Sequence, residues 1–205
     1  LREMCLLDSD GDGYGDASPT NSNIVAGTDC DDSHSGVFPD QVESVADGTD
    51  QNCDALELCY QDLDGDGYGS QLTVLVEEYD CTSAGVSVSN TDCDDNDLVT
   101  FPGAAEHDST SLCMTDEDGD GFGDVAARGS VTPGTDCDDA GSEINTAADE
   151  LCDSIDNNCD GVVDESTALD ALVWYPDGDG DGYPSQIGAI NSCEQPTGYL
   201  DGTQE

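Results

Sequence analysis

The sequence predicts an irregular, loop-rich repeat protein with little regular secondary structure, limited to short β hairpins and an occasional helical turn. Three observations lead there. Of 205 residues, 49 are Asp or Glu and 2 are Lys or Arg, a formal net charge of −47, while 35% are hydrophobic and 5% aromatic. So little apolar material cannot offset chain entropy and self-repulsion unless something neutralises the acid. The acid is mostly Asp, 37 of 49, and is accompanied by 24 Gly; short carboxylates and permissive backbones favour turns over helices. Eleven cysteines are more than a chain of this size carries in a reducing compartment, so disulfides and an extracellular or cell-surface setting are expected.

The same counts exclude several functions. Phosphate contacts need clustered basic residues, and only Arg2 and Arg128 are present, so neither nucleic acid nor an anionic membrane surface is expected as a partner. No apolar stretch is long enough to span a bilayer. No CxxC pair occurs, which argues against zinc. Leu1 to Cys5 has no apolar run behind a basic start, so the sequence reads as a mature chain or a fragment.

Self-similarity organises the rest. Four segments superimpose without gaps: Asp8-Ser-Asp10-Gly-Asp12-Gly-Tyr14-Gly, Asp62-Leu-Asp64-Gly-Asp66-Gly-Tyr68-Gly, Asp116-Glu-Asp118-Gly-Asp120-Gly-Phe122-Gly and Asp177-Gly-Asp179-Gly-Asp181-Gly-Tyr183-Pro. A second element, Thr-Asp-Cys-Asp-Asp, follows in three units: Asp29, Asp31 and Asp32; Asp92, Asp94 and Asp95; Asp136, Asp138 and Asp139. A third, Asp153-Ser-Ile-Asp156-Asn-Asn158-Cys159-Asp160, has a partner in Asp47-Gly-Thr-Asp50-Gln-Asn52-Cys53-Asp54, and the second unit lacks it. The repeats span 1–57, 58–111, 112–173 and, incomplete, 174–205. Leu72 to Tyr79 and Val86 to Val88 are β-prone enough for edge hairpins, and Ser166 to Leu172 for a helical turn or two.

The first element has the chemistry of the opening half of an EF-hand-type loop. Positions 1, 3 and 5 give carboxylates, glycine at 6 allows a sharp turn, and position 7 (Tyr14, Tyr68, Phe122, Tyr183) offers its carbonyl. Position 9 continues the series with Asp16, Ser70, Asp124 and Ser185. Position 12 holds Pro19, Thr73, Ala127 and Gly188, so the usual bidentate Glu is missing and the Asp-Cys-Asp-Asp element is expected to fold back and supply its oxygens. A second loop starts at Asp156, with Asn158, Asp160, the Val162 carbonyl and Asp164 as ligands and Glu165 beside them. Its counterpart at Asp50 is weaker, because Ala55 replaces the glycine and Leu58 takes position 9. Several Ca2+ ions are expected, since Ca2+ takes about 6–8 oxygens and Mg2+ prefers octahedral sites that keep water.

The order D-x-D-x-D-G-Y-G, D-C-D-D, C-D-x-x-D-N-N-C-D-G-x-x-D-E resembles the tandem metal-binding (MopI-type) repeats of large secreted bacterial proteins and, more distantly, thrombospondin type 3 repeats. The resemblance covers nearly the whole chain and implies calcium-organised, disulfide-linked extracellular repeats.

One pairing consistent with the register joins Cys5 to Cys30, Cys81 to Cys93, Cys113 to Cys137, Cys53 to Cys59 and Cys152 to Cys159, leaving Cys193 over; connectivity does not follow from sequence. The fourth repeat stops where Gly-Thr-Asp-Cys would stand, which fits either truncation or completion by a neighbouring copy, head to tail. The position-7 aromatics are expected to pack beside their ions rather than stack on carbohydrate. An enzyme is not expected: Lys is absent, and His34 and His107 sit in unrelated surface contexts without a nucleophile and base. The leading expectation is an extracellular calcium-binding protein with a structural role, a surface fibre, stalk or filament subunit, with copies of itself as partners. The alternatives are a calcium-dependent adhesion or docking module, or an acidic sequesterer of calcium or mineral.

Overall fold

The computed structural model describes residues 6–77 and 79–202. Among them there is no helix, only eight short strands joined by turns. Leu1 to Cys5 lie outside the described residues, and with them the proposed Cys5 bond from its own side.

The chain divides into two compact bodies, residues 1–101 and 102–205. In the first, β1 (Glu57–Gln61) is the centre of a three-stranded antiparallel sheet between β2 (Thr73–Val76) and β3 (Val86–Ser87), the strands expected of Leu72 to Tyr79 and Val86 to Val88. Cys59 faces Val74, and Cys59, Cys81 and Val86 form a small core with Ala46 and Val76 against it. Two further strands are β4 (Thr100–Pro102) and β5 (Cys113–Thr115). In the second body β6 (Leu172–Pro176) is central between β7 (Ile190–Ser192) and β8 (Tyr199–Asp201), and the Trp174 indole donates to the Ser192 carbonyl at 2.9 Å. Ser166 to Leu172 is not helical. Ala168 donates to Glu165 and Ala171 to Ala168, two successive tight turns, after which the chain extends into β6.

The strands deliver the loops: β1, β5 and β6 each run directly into an Asp-x-Asp-x-Asp-Gly segment. What lies inside is polar. The largest fully buried side chains are Glu57, Thr100, Asp29, Asp136 and Cys59, an interior that hydrophobic burial alone cannot hold together.

The disulfides are Cys30–Cys53, Cys59–Cys81, Cys137–Cys159 and Cys152–Cys193; Cys93 and Cys113 are also disulfide-bonded. None of the five expected pairs forms, and Cys193 is not the spare thiol. The reason is placement. The second element lies against the third, so that the Cys30 amide meets the Cys53 sulfur and its own sulfur the Asp50 carbonyl; Cys137 repeats both contacts with Cys159 and Asp156. Cys59 leaves β1 toward the turn beyond β2, where Cys81 stands, 5.3 Å away between α-carbons.

Candidate metal sites

All four loops fold alike, and aspartate chemistry explains why. The position-1 carboxylate accepts the amide of the glycine three residues on: Gly11 to Asp8, Gly65 to Asp62, Gly119 to Asp116 and Gly180 to Asp177, at 2.7–2.9 Å. The position-5 carboxylate accepts the amide at 7: Tyr14 to Asp12, Tyr68 to Asp66, Phe122 to Asp120, Tyr183 to Asp181. Asp10, Asp64 and Asp118 accept the amides of Asp12, Asp66 and Asp120. Asp62, Asp116 and Asp177 use their second oxygen as well, on the amides of Gly67, Gly121 and Gly182. In the first three loops the turns at positions 3 and 5 use one carboxylate oxygen and leave the other buried without a partner, except at Asp120, which accepts from Asn145.

The second element then docks beside the loop. Asp16 and Asp29 form a parallel bridge, as do Asp124 and Asp136; Asp29 donates to the Gly15 carbonyl, Asp136 to Gly123 and Asp92 to Gly69. Asp32 accepts the Ser9 amide and hydroxyl, and Asp95 the Leu63 amide. Close approach demands glycine at one point: a methyl on Gly134 would fall on the Gly123 carbonyl, and one on Gly27 on the Gly15 carbonyl. Gly134→Ala is therefore expected to lift the second element off the third loop and weaken cation binding there at least tenfold, read by calorimetric titration, while leaving the first repeat unchanged.

Docking brings together oxygens that nothing in the protein satisfies. In the first repeat one buried oxygen each of Asp10, Asp12 and Asp29 has no hydrogen-bond partner; in the second, Asp64, Asp66 and Asp92; in the third, Asp118, Asp136 and Asp139. Burial raises the carboxyls of Asp29 and Asp92, pushes Asp66 and Asp136 up to about 6 and Asp139 up to about 7, with neighbouring aspartates adding to each. Buried, unpaired and mutually repelling carboxylates are the arrangement a cation relieves. Asp8, Asp10 and Asp12, then Asp62, Asp64 and Asp66, then Asp116, Asp118 and Asp120 each converge closely enough to hold one ion.

Other expected ligands are placed differently. Asp31, Asp94 and Asp138 are exposed, and Asp31 turns back to the Ser33 amide and hydroxyl, whose hydrogen bonds lower its pKa. Asp16 and Asp124 use one oxygen on the Ser18 and Ala126 amides. Ser70 donates its hydroxyl to the Gln61 carbonyl. In the loop at Asp156, Asp160 donates to Asp156 and Asn158, Gly161 to Asp156 and Val162 to Asp160, Asp164 accepts the Ser154 amide, and Glu165 has a buried, unpartnered oxygen. In the fourth repeat Asp179, Asp181 and Tyr183 are exposed.

The aromatics follow the same division. Tyr14 stacks on Phe38, Tyr68 on Phe101 and Phe122 on His107, at 5.0–5.4 Å between ring centres, whereas Tyr183 is 69% exposed and does not pack as expected. His107 thus has a ring-stacking role that its exposed context concealed. The clamps Asp108, accepting from Gly123 and Thr135, Glu150, accepting from Asn157, Asn158 and Asp164, and Asn145, donating to Asp120 at 2.7 Å, have no signature in the sequence because each acts across a chain return.

Three stretches, 29–56, 92–124 and 136–165, match the family model Cu-binding_MopE, described as "Putative metal-binding motif". The chain carries three tandem matches to this metal-binding motif. Each matched stretch opens at an Asp-Cys-Asp-Asp element, and the middle one runs on to Asp124 in the third loop. No curated protein and no solved structure gives a match.

Proposed function

We propose that the chain is an extracellular calcium-binding repeat protein with a structural role, a stiffened surface fibre, stalk or filament subunit. The observation that carries this is the triad of buried, unpartnered carboxylate oxygens in each of the first three repeats. Their donors are oxygen alone. The family name refers to copper, which favours imidazole and sulfur. The cysteines beside Asp29 and Asp136 are locked in disulfides, and His107 is stacked on Phe122 with its Nδ1 engaged by the Asp120 carbonyl at 3.1 Å. Oxygen sites rich in carboxylates, with room for a backbone carbonyl, suit Ca2+ better than Mg2+.

A structural rather than catalytic role is supported by how little else orders the chain: a few buried apolar residues per body, disulfides, and the loops. Each repeat is too small to build a core alone, and ions and cross-links do the ordering in such scaffolds. The disulfides also fit an oxidising, extracellular compartment. No helix among the described residues is long and apolar enough to cross a membrane. Head-to-tail assembly through the fourth repeat is supported by Tyr183, whose ring stays exposed where its three counterparts are stacked. Its carrier loop makes the same turns as the other three.

Calorimetric titration of the EDTA-stripped chain is expected to show several Ca2+ sites, Mg2+ binding at least a hundredfold weaker, and sedimentation shifting to larger species as Ca2+ saturates. Tight stoichiometric Cu2+ binding without Ca2+ binding at millimolar concentration would sink the calcium reading; an unchanged sedimentation coefficient would remove the assembly.

A further inference from the structure

The fourth repeat is built on the same sheet as the second. β6 stands between β7 and β8 as β1 stands between β2 and β3. Trp174 is opposite Ile190 where Cys59 is opposite Val74, and Tyr175 is opposite Leu200 where Tyr60 is opposite Ser87. Each repeat has a hollow between this sheet and its loop, of about 290 Å3 in the second and about 300 Å3 in the fourth.

The matched positions make the two hollows chemically different. In the second repeat Gly67, Thr82 and Ser87 are among the lining residues, the Ser87 hydroxyl donates to the Gly67 carbonyl at 2.6 Å, and Cys59 is joined to Cys81. In the fourth the lining is Trp174, Gly182, Gln195, Leu200 and Asp201. Trp174 stands in the place of Cys59, and Leu200, in the place of Ser87, has no hydroxyl to give to the loop. The indole N–H donates to the Ser192 carbonyl at 2.9 Å, which fixes the ring on the sheet. Asp201 is the cross-strand neighbour of Trp174, so carboxylate and indole share one face. The Gln195 amide nitrogen donates to the Tyr199 carbonyl at 2.7 Å, which holds that side chain in one orientation. Nothing lies within 4 Å of the point where a side chain on Gly182 would begin, so the loop does not close the hollow there.

We propose that this hollow binds a neutral saccharide, with Trp174 as the stacking platform. The C–H face of a pyranose packs on the negative face of the indole, and its hydroxyls, which both donate and accept, satisfy Gln195 and Asp201 together. A ligand without hydroxyls leaves those groups desolvated and unpaired. An anionic ligand meets Asp177, Asp179 and Asp181 of the adjoining loop on a chain of net charge −47. The site lies outside the three stretches that match the metal-binding motif, and the identity of the cation does not enter it.

Trp174 is the one tryptophan of the chain, so its emission reports this hollow alone. Titration of the full disulfide-bonded chain in Ca2+ with neutral oligosaccharides of glucose, mannose and N-acetylglucosamine, up to about 10 mM, is expected to give a saturable blue shift with at least one of them. Gln195→Ala and Asp201→Ala, both at exposed positions, should weaken that binding roughly tenfold with near-ultraviolet circular dichroism unchanged, while Leu75→Ser in the second repeat leaves it as it was. No saturable shift with any of the sugars overturns the proposal, as do variants that bind like wild type. A shift with tetramethylammonium in place of the sugars assigns the hollow to cations and overturns it too. The wild-type emission decides by itself should the variants not fold.

Discussion

Removing divalent cations with EDTA, with the disulfides left intact, is expected to unfold the loops and leave a cross-linked, protease-sensitive chain. The size of the effect follows from mass action: a site held at a thousandfold excess over its Kd stabilises the folded state by about 4 kcal/mol. Several such sites together exceed the ~5–15 kcal/mol by which a domain is ordinarily stable. The opposing term is the repulsion among Asp10, Asp12 and Asp29, or Asp118, Asp136 and Asp139, which reappears once the ion leaves. The measurement is near-ultraviolet circular dichroism with limited proteolysis in Ca2+ and in EDTA. Identical spectra and cleavage patterns would refute ion-dependent folding.

The second large effect is a reversal in pH dependence. In the metal-free chain Asp66 and Asp136 titrate at about 6 and Asp139 at about 7, raised chiefly by burial, against 3.8 when unfolded. A carboxyl raised by folding binds its proton more tightly in the folded state, so its contribution is complete below the unfolded pKa and is lost as pH rises through the folded one. In EDTA, stability should therefore fall as pH rises from about 4 to about 7. These carboxyls keep partial contact with water, which screens their interactions, so the fall is on the order of 1–2 kcal/mol, or a few degrees in melting temperature. With saturating Ca2+ the sign inverts, because ion and proton compete for the same oxygens and acid displaces the ion. Melting curves from pH 5 to 8 in both conditions should cross; parallel curves would show that these carboxyls do not meet a cation.

The loops were legible because their order is local. An aspartate that accepts an amide two or three residues on needs no tertiary partner, so Asp8, Asp62, Asp116 and Asp177 announce their turns in the spacing alone. Folding back of the second element was legible by elimination, since position 12 offers no carboxylate and a second acidic cluster follows. The disulfides were not. Cys30 could reach several sulfurs along the chain, and only the packing of the second element on the third selects Cys53. Asp108 and Glu150 were hidden for the same reason, as was the stacking of His107 on Phe122. The fourth loop shows both sides: its turns form from Asp177 and Asp181 unaided, while Asp179, Asp181 and the Tyr183 ring are exposed, which spacing alone did not foretell.

The disulfide rings also decide where the chain has slack. Their ends are 22, 22, 23 and 41 residues apart, and whatever lies inside a ring cannot lengthen under tension. The stretches from Asp16 to Asp29 and from Asp124 to Asp136 lie outside these four rings, and each is closed at its ends by a parallel bridge. A pull along the chain loads those closures, so on the calcium reading proposed above a cation bound there would set the force at which each repeat gives way, and calcium concentration would control extensibility as well as folding.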